Sequence, residues 1–177
     1  QAAITANTHV RVPPGTFMVG ALTIGQSSTV FSCDPGAKLK LKATTITNLI
    51  TVSAGLTNVE VSGCEFDGNK ANNAWEGTYR AAIVVNPPST GARILNNHIH
   101  DFIMRGLVLY IATDFQVRGN YIHDNARGYA IVCSTNVTLA YGAGCTNGVI
   151  ADNVIKNNGG GGIATVAGSR LAISNNV

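Results

Sequence analysis

Apolar and polar residues alternate along most of the chain, in short runs separated by Asn, Asp and Gly. The pattern is clearest in two near-copies of one phrase, at 92–101 and 115–124, which align without a gap at a constant offset of 23. Ile99 and Ile122 occupy the same apolar position in these copies, and polar residues flank both. Alternation with a period of two predicts β-strands, and a repeat of roughly 20–50 residues predicts a solenoid.

Weaker copies of the phrase occur at residues 61–67, 150–156 and 173–177. Stacking the copies places apolar side chains in two inward columns, which are Ile94, Val117, Ile150 and Ile173, and Phe66, Ile99, Ile122 and Ile155. An Asn recurs between the two strands of each later copy, at Asn97, Asn120, Asn153 and Asn176. Asn suits a tight corner, and stacked Asn amides can hydrogen-bond along the axis. The sequence therefore predicts an Asn ladder, with Cys64 taking the corner position in an earlier coil.

Strand, corner, strand, bend and strand together form one coil of a three-stranded parallel β-helix, with coils of about 22–33 residues by the spacing of the copies. We expect residues 1–177 to form a single all-β domain, with an N-terminal cap and first coil at 1–20. A long loop at 67–80 and an inserted loop at 134–146 interrupt the repeat. The chain ends inside a coil without a polar cap, so the expectation is a piece of a longer protein, with further chain or self-association covering that end.

The phrases NNHIHD and VRGNYIHDNARGYAIV resemble the right-handed β-helix repeats of the pectin-lyase-like superfamily. The opening VRVPPGTF and the segment VEVSGCEFDGNKANN are similar to its pectate-lyase-like, tailspike-like branch. The resemblance covers essentially the whole chain. It implies a right-handed β-helix, but this superfamily includes lyases, hydrolases, epimerases and inert adhesins, so it leaves the activity open.

Composition and charge exclude several functional classes. Charged residues make up 12% of the chain and the net charge is +3, with no basic run of the kind that binds nucleic acid. No apolar stretch approaches the roughly 20 residues that span a membrane. Cys133 and Cys145 flank the inserted loop and are predicted to form a disulfide, with Cys33 and Cys64 as a second candidate pair. Disulfides would place the protein outside the cell, either secreted or on a cell or virion surface.

Residues beside the inward positions are expected to face away from the core, because side chains alternate along a strand. Matching outward residues of successive coils then stack into columns. The first predicted column contains Asp67, His100, His123 and Lys156. A neighbouring column contains Asp101, Asp124 and Asn157, and a third, one bend further on, contains Arg80, Arg105 and Arg127. Further candidates for substrate contact are His98, Lys70, Trp75, Tyr79, Tyr121 and Tyr129. Lys38, Lys40 and Lys42, by contrast, are interpreted as a solvated strand face.

Such a surface suits an extracellular acidic polysaccharide. Eliminative cleavage of a polyuronate needs a cation for the carboxylate, a base for the C5 proton and an acid for the leaving oxygen. Arg105 or Arg127 is assigned the first role, and Tyr129 or Tyr121 the third. The base would be His123, His100 or Lys156, since imidazole titrates near neutral pH. The same groups without productive protonation of the leaving oxygen would give an epimerase.

Three alternatives stay open at this point. A glycoside hydrolase would use a carboxylate pair among Asp67, Asp101 and Asp124. A non-catalytic adhesin, fibre or tailspike segment would need none of this chemistry, and its columns would only reflect coil duplication. No metal or cofactor is expected, although the imidazoles could hold a transition metal and Asp101 with Asp124 could hold Ca²⁺. An enzyme should fold the 67–80 loop over the His and Arg face, whereas a structural module has no such need.

Overall fold

The computed structural model describes residues 4, 7–45, 47–75, 77, 80–135 and 144–177. Of the first seven residues of the predicted N-terminal cap, only Ile4 and Asn7 lie within these ranges, and most of the inserted loop lies outside them. In the described part the backbone is built from short strands and one 3₁₀ helix, Lys70–Asn72, in the long loop.

The strands are numbered in chain order. They are β1 His9–Val12, β2 Gly15–Val19, β3 Leu22–Ile24, β4 Val30–Cys33, β5 Ala37–Leu41, β6 Ile50–Val52, β7 Glu60–Ser62, β8 Glu65–Asp67, β9 Ala81–Val85, β10 Ser89–Thr90, β11 Arg93–Leu95, β12 His98–His100, β13 Arg105–Tyr110, β14 Ala112–Thr113, β15 Gln116–Arg118, β16 Tyr121–His123, β17 Tyr129–Ser134, β18 Val149–Ala151, β19 Val154–Lys156, β20 Gly161–Thr165 and β21 Ala172–Ser174.

Three long parallel sheets run along the axis of the solenoid. Sheet one has the order β1-β4-β7-β11-β15-β18-β21, sheet two the order β2-β5-β8-β12-β16-β19, and sheet three the order β3-β6-β9-β13-β17-β20. A two-stranded ribbon, β10 with β14, lies beside them. Each coil thus contributes one strand to each long sheet, and the predicted right-handed parallel β-helix is confirmed.

Apolar side chains stack inside the solenoid in register from coil to coil. In sheet one, one column occupies the same position of four successive strands and consists of Val61, Ile94, Val117 and Ile150. All four residues have 0% exposure. Phe66, Ile99 and Ile122 form the equivalent column in sheet two, also at 0%. Burial of these side chains drives folding, because each removes apolar surface from water. Their flanking neighbours on sheet two consequently point away from the core.

The corner between sheets one and two carries a ladder of Asn side chains. Asn120 Oδ1 accepts hydrogen bonds from the backbone N–H (2.9 Å) and side-chain Nδ2 (3.1 Å) of Asn97. Asn153 receives the same pair from Asn120, and Asn176 the same pair from Asn153. The N–H of Cys64 donates to Asn97 Oδ1, which continues the ladder by one more coil. The buried amides therefore satisfy one another along the axis.

A second, shorter ladder follows sheet two. Asn125 Oδ1 accepts from the N–H of Phe102, and Asn158 Oδ1 accepts from Asn125 Nδ2 at 2.8 Å. Sequence reasoning missed this ladder because Phe102 occupies the equivalent position one coil earlier.

Two disulfides link the cysteines, Cys33 with Cys64 and Cys133 with Cys145. The first joins the corner position of the Asn ladder to the preceding coil, at a Cα separation of 4.8 Å. The second joins the end of β17 to the chain that enters the next coil, at 6.0 Å. No helix among the described residues is long and apolar enough to cross a membrane.

Candidate functional site

A stack of imidazole rings occupies the outer face of sheet two. Strands β12 and β16 pair in parallel, with His98 level with Tyr121 and His100 level with His123. Because Ile99 and Ile122 between them point into the core, all four flanking rings project outward from the same face. The alternation of the sequence is therefore sufficient to bring these rings together.

The rings are in direct contact. Ring centroids lie 4.9 Å apart for His98 and His123, 5.3 Å apart for His100 and His123, and 4.6 Å apart for His98 and His100. Tyr121 stacks on His123 at 4.2 Å and on His98 at 5.1 Å. The Nε2 atoms of His98 and His123 are 2.7 Å apart. One of these nitrogens must carry the hydrogen that the other accepts, because two lone pairs would repel.

A carboxylate orients two of the three imidazoles. His100 Nδ1 lies 2.8 Å from Asp101 Oδ2, and His123 Nδ1 lies 2.6 Å from Asp124 Oδ2. Both Asp residues turn the corner after their strands with left-handed backbones, at φ of 57° and 54°, a conformation that Asp tolerates better than most residues. Each carboxylate thereby accepts the Nδ1 hydrogen and leaves Nε2 of the same ring for other partners.

Glu65 belongs to the same cluster and was missed at the sequence level. It is level with His98 in the pairing of β8 with β12, and its Oε1 lies 3.2 Å from His100 Nε2. The signal was present, because the alignment that matches Asp67 to His100 also matches Glu65 to His98. Glu65 lies in a weaker copy of the phrase, however, and that copy is separated from the next by a wider spacing than the two clearest copies have.

The interpretation of Lys38 and Lys40 as a solvated face is wrong. Strand β5 pairs with β8, so Lys38 lies opposite Glu65 and Lys40 opposite Asp67. Their ammonium groups contact these carboxylates at 2.6 Å and 2.8 Å. The two Lys residues therefore extend the outward columns by one coil, and the first column reads Lys40, Asp67, His100, His123 and Lys156.

The expectation that this whole face is open to solvent also needs correction. His100 is only 8% exposed and Asp67 only 5%, whereas His98 and His123 are half-buried and Tyr121 is exposed. Lysine side chains lie against this part of the face. Besides the contact of Lys40 with Asp67, Lys70 from the long loop reaches Asp101 Oδ1 at 2.8 Å and the backbone oxygen of Asp124 at 2.7 Å. The accessible part of the cluster is thus the His98, Tyr121 and His123 side.

These contacts shift several pKa values. The pKa of His98 is lowered, first by burial and then by the neighbouring His100 and His123. The pKa of Asp124 is lowered mainly by its hydrogen bond with His123. Burial alone would raise the pKa of Asp101, but the bonds from Lys70 and His100 outweigh it and lower the value.

The Lys38–Glu65 pair behaves in the same way. Burial would raise the pKa of Glu65, but the bonds from Lys38 and His100 prevail and lower it. The hydrogen bond to Glu65 in turn raises the pKa of Lys38 above its ordinary value. The cluster thus holds ionised carboxylates beside imidazoles at neutral pH.

The predicted Arg column does not form as expected. Arg105 opens β13 level with Ala81 rather than Arg80, and Leu107 is level with Ile131. The same register brings Tyr129, not Arg127, to the level of Arg105, so the two Arg residues are out of step. Arg127 follows Arg105 by 22 residues, whereas paired positions of β13 and β17 are 24 residues apart. The bend at 124–128, one residue longer than the bend at 101–104, accounts for one of these two positions. Arg80 is half-buried, and its Nε makes no hydrogen bond within the described residues.

Arg127 is nevertheless close to the long loop. Its guanidinium carbon lies 4.4 Å from the centroid of the Trp75 ring, a cation–π contact between two exposed side chains. Together with the contacts of Lys70, this places the described part of the 67–80 loop against the outer face of the corner after sheet two. Tyr79 lies outside the described residues.

Two further predicted residues, Lys156 and Tyr129, lie outside the contacts of the cluster. Lys156 is exposed and level with His123 in β19. Tyr129 is exposed at the start of β17 in sheet three, level with Gly161. A cleft beneath the loop, lined by Trp75, Arg80, Phe102 and Met104 among others, encloses about 30 Å³. This volume is far below the roughly 300 Å³ of a small-molecule pocket, so the cleft is too small to be one.

Two groups in the described residues have the composition and spacing of metal ligands. One comprises Glu65, His98 and His100, and the other Asp67, His100 and Asp101. Within each group one ligand atom per residue lies within 4.8 Å of the others. Neither group combines Asp101 with Asp124, the pair named above as able to hold Ca²⁺.

Residues 23–177 match the family profile described as the right handed beta helix region. The fold and the repeated outward columns define a solenoid of this kind, and the chain belongs to the right-handed β-helix family. No curated protein sequence matches it.

Solved structures share the fold. The A-module of the mannuronan C-5 epimerase AlgE6 of Azotobacter vinelandii matches 99% of the chain with 19% identity and a TM-score of 0.77. The chain spans 48% of that module, about half its length. The match to a candidate glycosyl hydrolase of Parabacteroides merdae covers 99% of this chain and 86% of the length of that protein, with 16% identity and a TM-score of 0.76. At these identities the similarity shows the fold alone.

Proposed function

We propose that the chain binds an acidic polysaccharide along the outer face of sheet two and removes the C5 proton of a uronate residue, as a lyase or an epimerase does. The observation that carries the proposal is the His123–Asp124 pair beside two further imidazoles and an exposed Tyr121. The similarity to a mannuronan C-5 epimerase supports it only in showing that a β-helix can host chemistry at this carbon.

His123 is the base in this proposal. Asp124 accepts the Nδ1 hydrogen at 2.6 Å, so a neutral His123 carries its lone pair on Nε2. That atom currently contacts His98 Nε2, whose ring is half-buried and neutral at pH 7 because its pKa is lowered. A substrate that lies across the two rings would replace this contact and present its C5 proton to His123.

Cations and aromatic rings around His123 supply the other requirements. Lys156 is level with His123 one coil further on, and Arg127 lies over Trp75. Either cation can neutralise a uronate carboxylate, which makes the C5 proton more acidic. Tyr121 stacks on His123 and is exposed, so its hydroxyl is the candidate acid for the leaving oxygen. Trp75 offers a flat surface on which a sugar ring can stack.

The hydrolase alternative fits less well. An inverting or retaining glycosidase needs one carboxyl group that stays protonated near neutral pH. Asp101 and Asp124 have lowered pKa values, and Asp67 is held by Lys40 and by the N–H of Asn69. The Asp residues of this cluster are therefore suited to orient the imidazoles.

A purely structural role has one specific observation in its favour. His100 and Asp67 are buried and fully engaged with neighbours from three coils, as expected of side chains that lock a solenoid together. The accessible His98, Tyr121 and His123 side and the loop above it have no such explanation.

The experiment is incubation with a panel of uronate polymers and neutral polysaccharides. Elimination is followed by the ultraviolet absorbance of the unsaturated uronate, and epimerisation by incorporation of solvent deuterium at C5. Product formation restricted to uronate polymers, and lost in His123→Ala, is the expected result. Binding to the polymers without either reaction would favour a non-catalytic adhesin, and absence of binding would contradict the proposal.

A further inference from the structure

We propose that Glu65, His98 and His100 form a binding site for a divalent transition-metal ion, of which Zn²⁺ is the reference case. One carboxylate oxygen and one nitrogen from each imidazole lie within 4.8 Å of one another. Two His and one Glu, with a fourth position left to water or substrate, is a ligand set that zinc uses in proteins. This inference stands independently of the proposed polysaccharide chemistry.

The three ligands project from rigid and adjacent elements. Glu65 and His98 are directly level in β8 and β12, and His100 follows two residues later on the same face. Paired strands hold side-chain origins close together, and positions on strands are more precise than positions on loops. Tetrahedral zinc with bonds of about 2.0–2.1 Å places its ligand atoms roughly 3.3 Å apart. His100 Nε2 and Glu65 Oε1 are already 3.2 Å apart, so side-chain rotation at His98 is the main adjustment.

A second layer of contacts orients His100 as a metal ligand. Its Nδ1 lies 2.8 Å from Asp101 Oδ2, and Asp101 Oδ1 lies 2.8 Å from Lys70 Nζ. Metal-binding His residues usually donate the other ring N–H to a carboxylate in this manner, which fixes the tautomer and raises the basicity of the ligating nitrogen. The arrangement directs Nε2 of His100 at Glu65.

The contact between His100 and Glu65 itself calls for a cation. In a neutral imidazole with its hydrogen on Nδ1, Nε2 carries a lone pair. In His100 this lone pair would face the Oε1 atom of Glu65. Such a pair is stabilised by a second proton on the ring or by a metal ion between the two atoms. At present the ammonium of Lys38, 2.6 Å from the same oxygen, supplies positive charge. A metal ion would displace Lys38 from Oε1, so Lys38 competes with it.

The imidazoles decide the class of ion. Nitrogen ligands favour zinc, copper and nickel, whereas calcium and magnesium prefer oxygen. The other group, Asp67 with His100 and Asp101, is less suitable because it offers only one imidazole. Its two carboxylates are both held by ammonium groups, those of Lys40 and Lys70, so a metal ion would have to displace two Lys residues instead of one. All four cysteines are in disulfides, so no thiolate competes for the ion.

The test is calorimetric titration of the tag-free protein with Zn²⁺, together with the visible spectrum of Co²⁺ added in its place. The expected result is one ion per chain, a tetrahedral Co²⁺ spectrum, and no response to Ca²⁺ or Mg²⁺. His98→Ala and the isosteric Glu65→Gln should each weaken Zn²⁺ binding at least tenfold. Lys38→Met should strengthen binding, because it removes the competing ammonium. His9→Ala, which removes an exposed imidazole on sheet one, should leave binding unchanged.

Two outcomes would overturn the inference. One is binding that His98→Ala and Glu65→Gln leave intact, or that His9→Ala weakens equally. The other is no binding by a protein whose thermal melting shows that it is folded. The strengthening expected of Lys38→Met guards against variants that merely unfold, since a damaged fold cannot produce it.

Discussion

The imidazole of His123 has the most clearly defined individual role in the cluster, because Asp124 fixes its tautomer and Tyr121 lies against its ring. In the proposed reaction, His123→Ala should lower kcat at least ~100-fold, the usual contribution of a general base. KM should change little, because the imidazole contacts the transferred proton and adds little to the binding of the polysaccharide. Steady-state kinetics on the responsive uronate polymer measures both constants.

The matched control for His123 is a surface residue outside sheet two. Arg118→Ala, on sheet one, removes an exposed side chain paired with Asp152 and should leave both constants unchanged. Full activity of His100→Ala and His123→Ala alike would remove this site from the reaction. The columns would then be a product of the repeat alone.

Arg127 should act on binding as well as on turnover. Its guanidinium holds the uronate carboxylate in the ground state and in the transition state alike, so Arg127→Ala should raise KM and lower kcat together. Arg93→Ala is the control, since this Arg is also exposed but pairs with Glu60 on sheet one. If KM is unchanged in Arg127→Ala, Arg127 does not hold the uronate carboxylate, and the role passes to Lys156.

For individual residues, the sequence predicts which side chains are level with one another better than it predicts what surrounds them. The stacking of His100 on His123 follows from the gap-free alignment of the two clearest copies and from the alternation of side chains. The contact of Lys70 with Asp101, the partner of His100, does not, because Lys70 lies in a loop without repeat character. The contact of Lys38 with Glu65 was equally hidden, since the coil between them has an irregular length.

Among the structural elements, the Asn ladder offers the sharpest test of stability. Asn120 is 1% exposed, donates to the backbone oxygen of Ile94, and bonds its neighbours Asn97 and Asn153. Asn120→Ala leaves buried groups of the adjacent coils without partners, which should reduce the free energy of unfolding by about 1–3 kcal/mol. Urea denaturation, followed by circular dichroism, measures the change.

Asn86→Ala provides the comparison for Asn120. Asn86 is half-buried, lies outside both ladders, and makes no side-chain hydrogen bond that is seen within the described residues. Its replacement should shift stability by less than about 0.5 kcal/mol. Equal losses from the two variants would mean that the ladder contributes no more than an ordinary Asn.

The elements also show where a repeat-based prediction ends. Four Asn residues at one corner repeat with offsets of 23 and 33, so the first ladder can be read from the sequence. The ladder from Asn125 to Asn158 has only two members, too few to establish a repeat. The bend at 124–128 gains one residue over its predecessor. This insertion adds to the one position by which the 22-residue offset between Arg105 and Arg127 already falls short of the 23-residue repeat, so the two Arg residues are two positions apart.

For the whole molecule, the fold is predictable because every level of the pattern agrees. Period-two alternation sets the strands, Asn sets a corner, and the offset sets which side chains stack, as the buried column from Val61 to Ile150 shows. The site is less predictable because it combines three coils and a loop. Folding brings Lys70 and Trp75, which share no repeat position, to the same corner as Asp124 and Arg127, and no sequence pattern indicates this.

The two disulfides should contribute unequally to the stability of the whole chain. Cys33 and Cys64 are 31 residues apart, and Cys133 and Cys145 are 12 apart. By the loop-entropy estimate, the longer loop restrains the unfolded chain by about 4 kcal/mol and the shorter by about 3 kcal/mol. The first bridge also joins two successive coils at the end of the Asn ladder. Cys33→Ala/Cys64→Ala should therefore lose more stability than Cys133→Ala/Cys145→Ala.

Urea unfolding of these two double variants under identical oxidising conditions compares the bridges directly. Each double variant replaces two sulfur atoms with hydrogen, and each pair contains at least one buried cysteine, so each also has a cost from the lost side-chain volume. The difference then reports the restraint on the unfolded chain and the connection between coils. A larger loss from Cys133→Ala/Cys145→Ala would contradict the prediction. It would place the main covalent restraint at the entrance to the later coils instead of at the ladder.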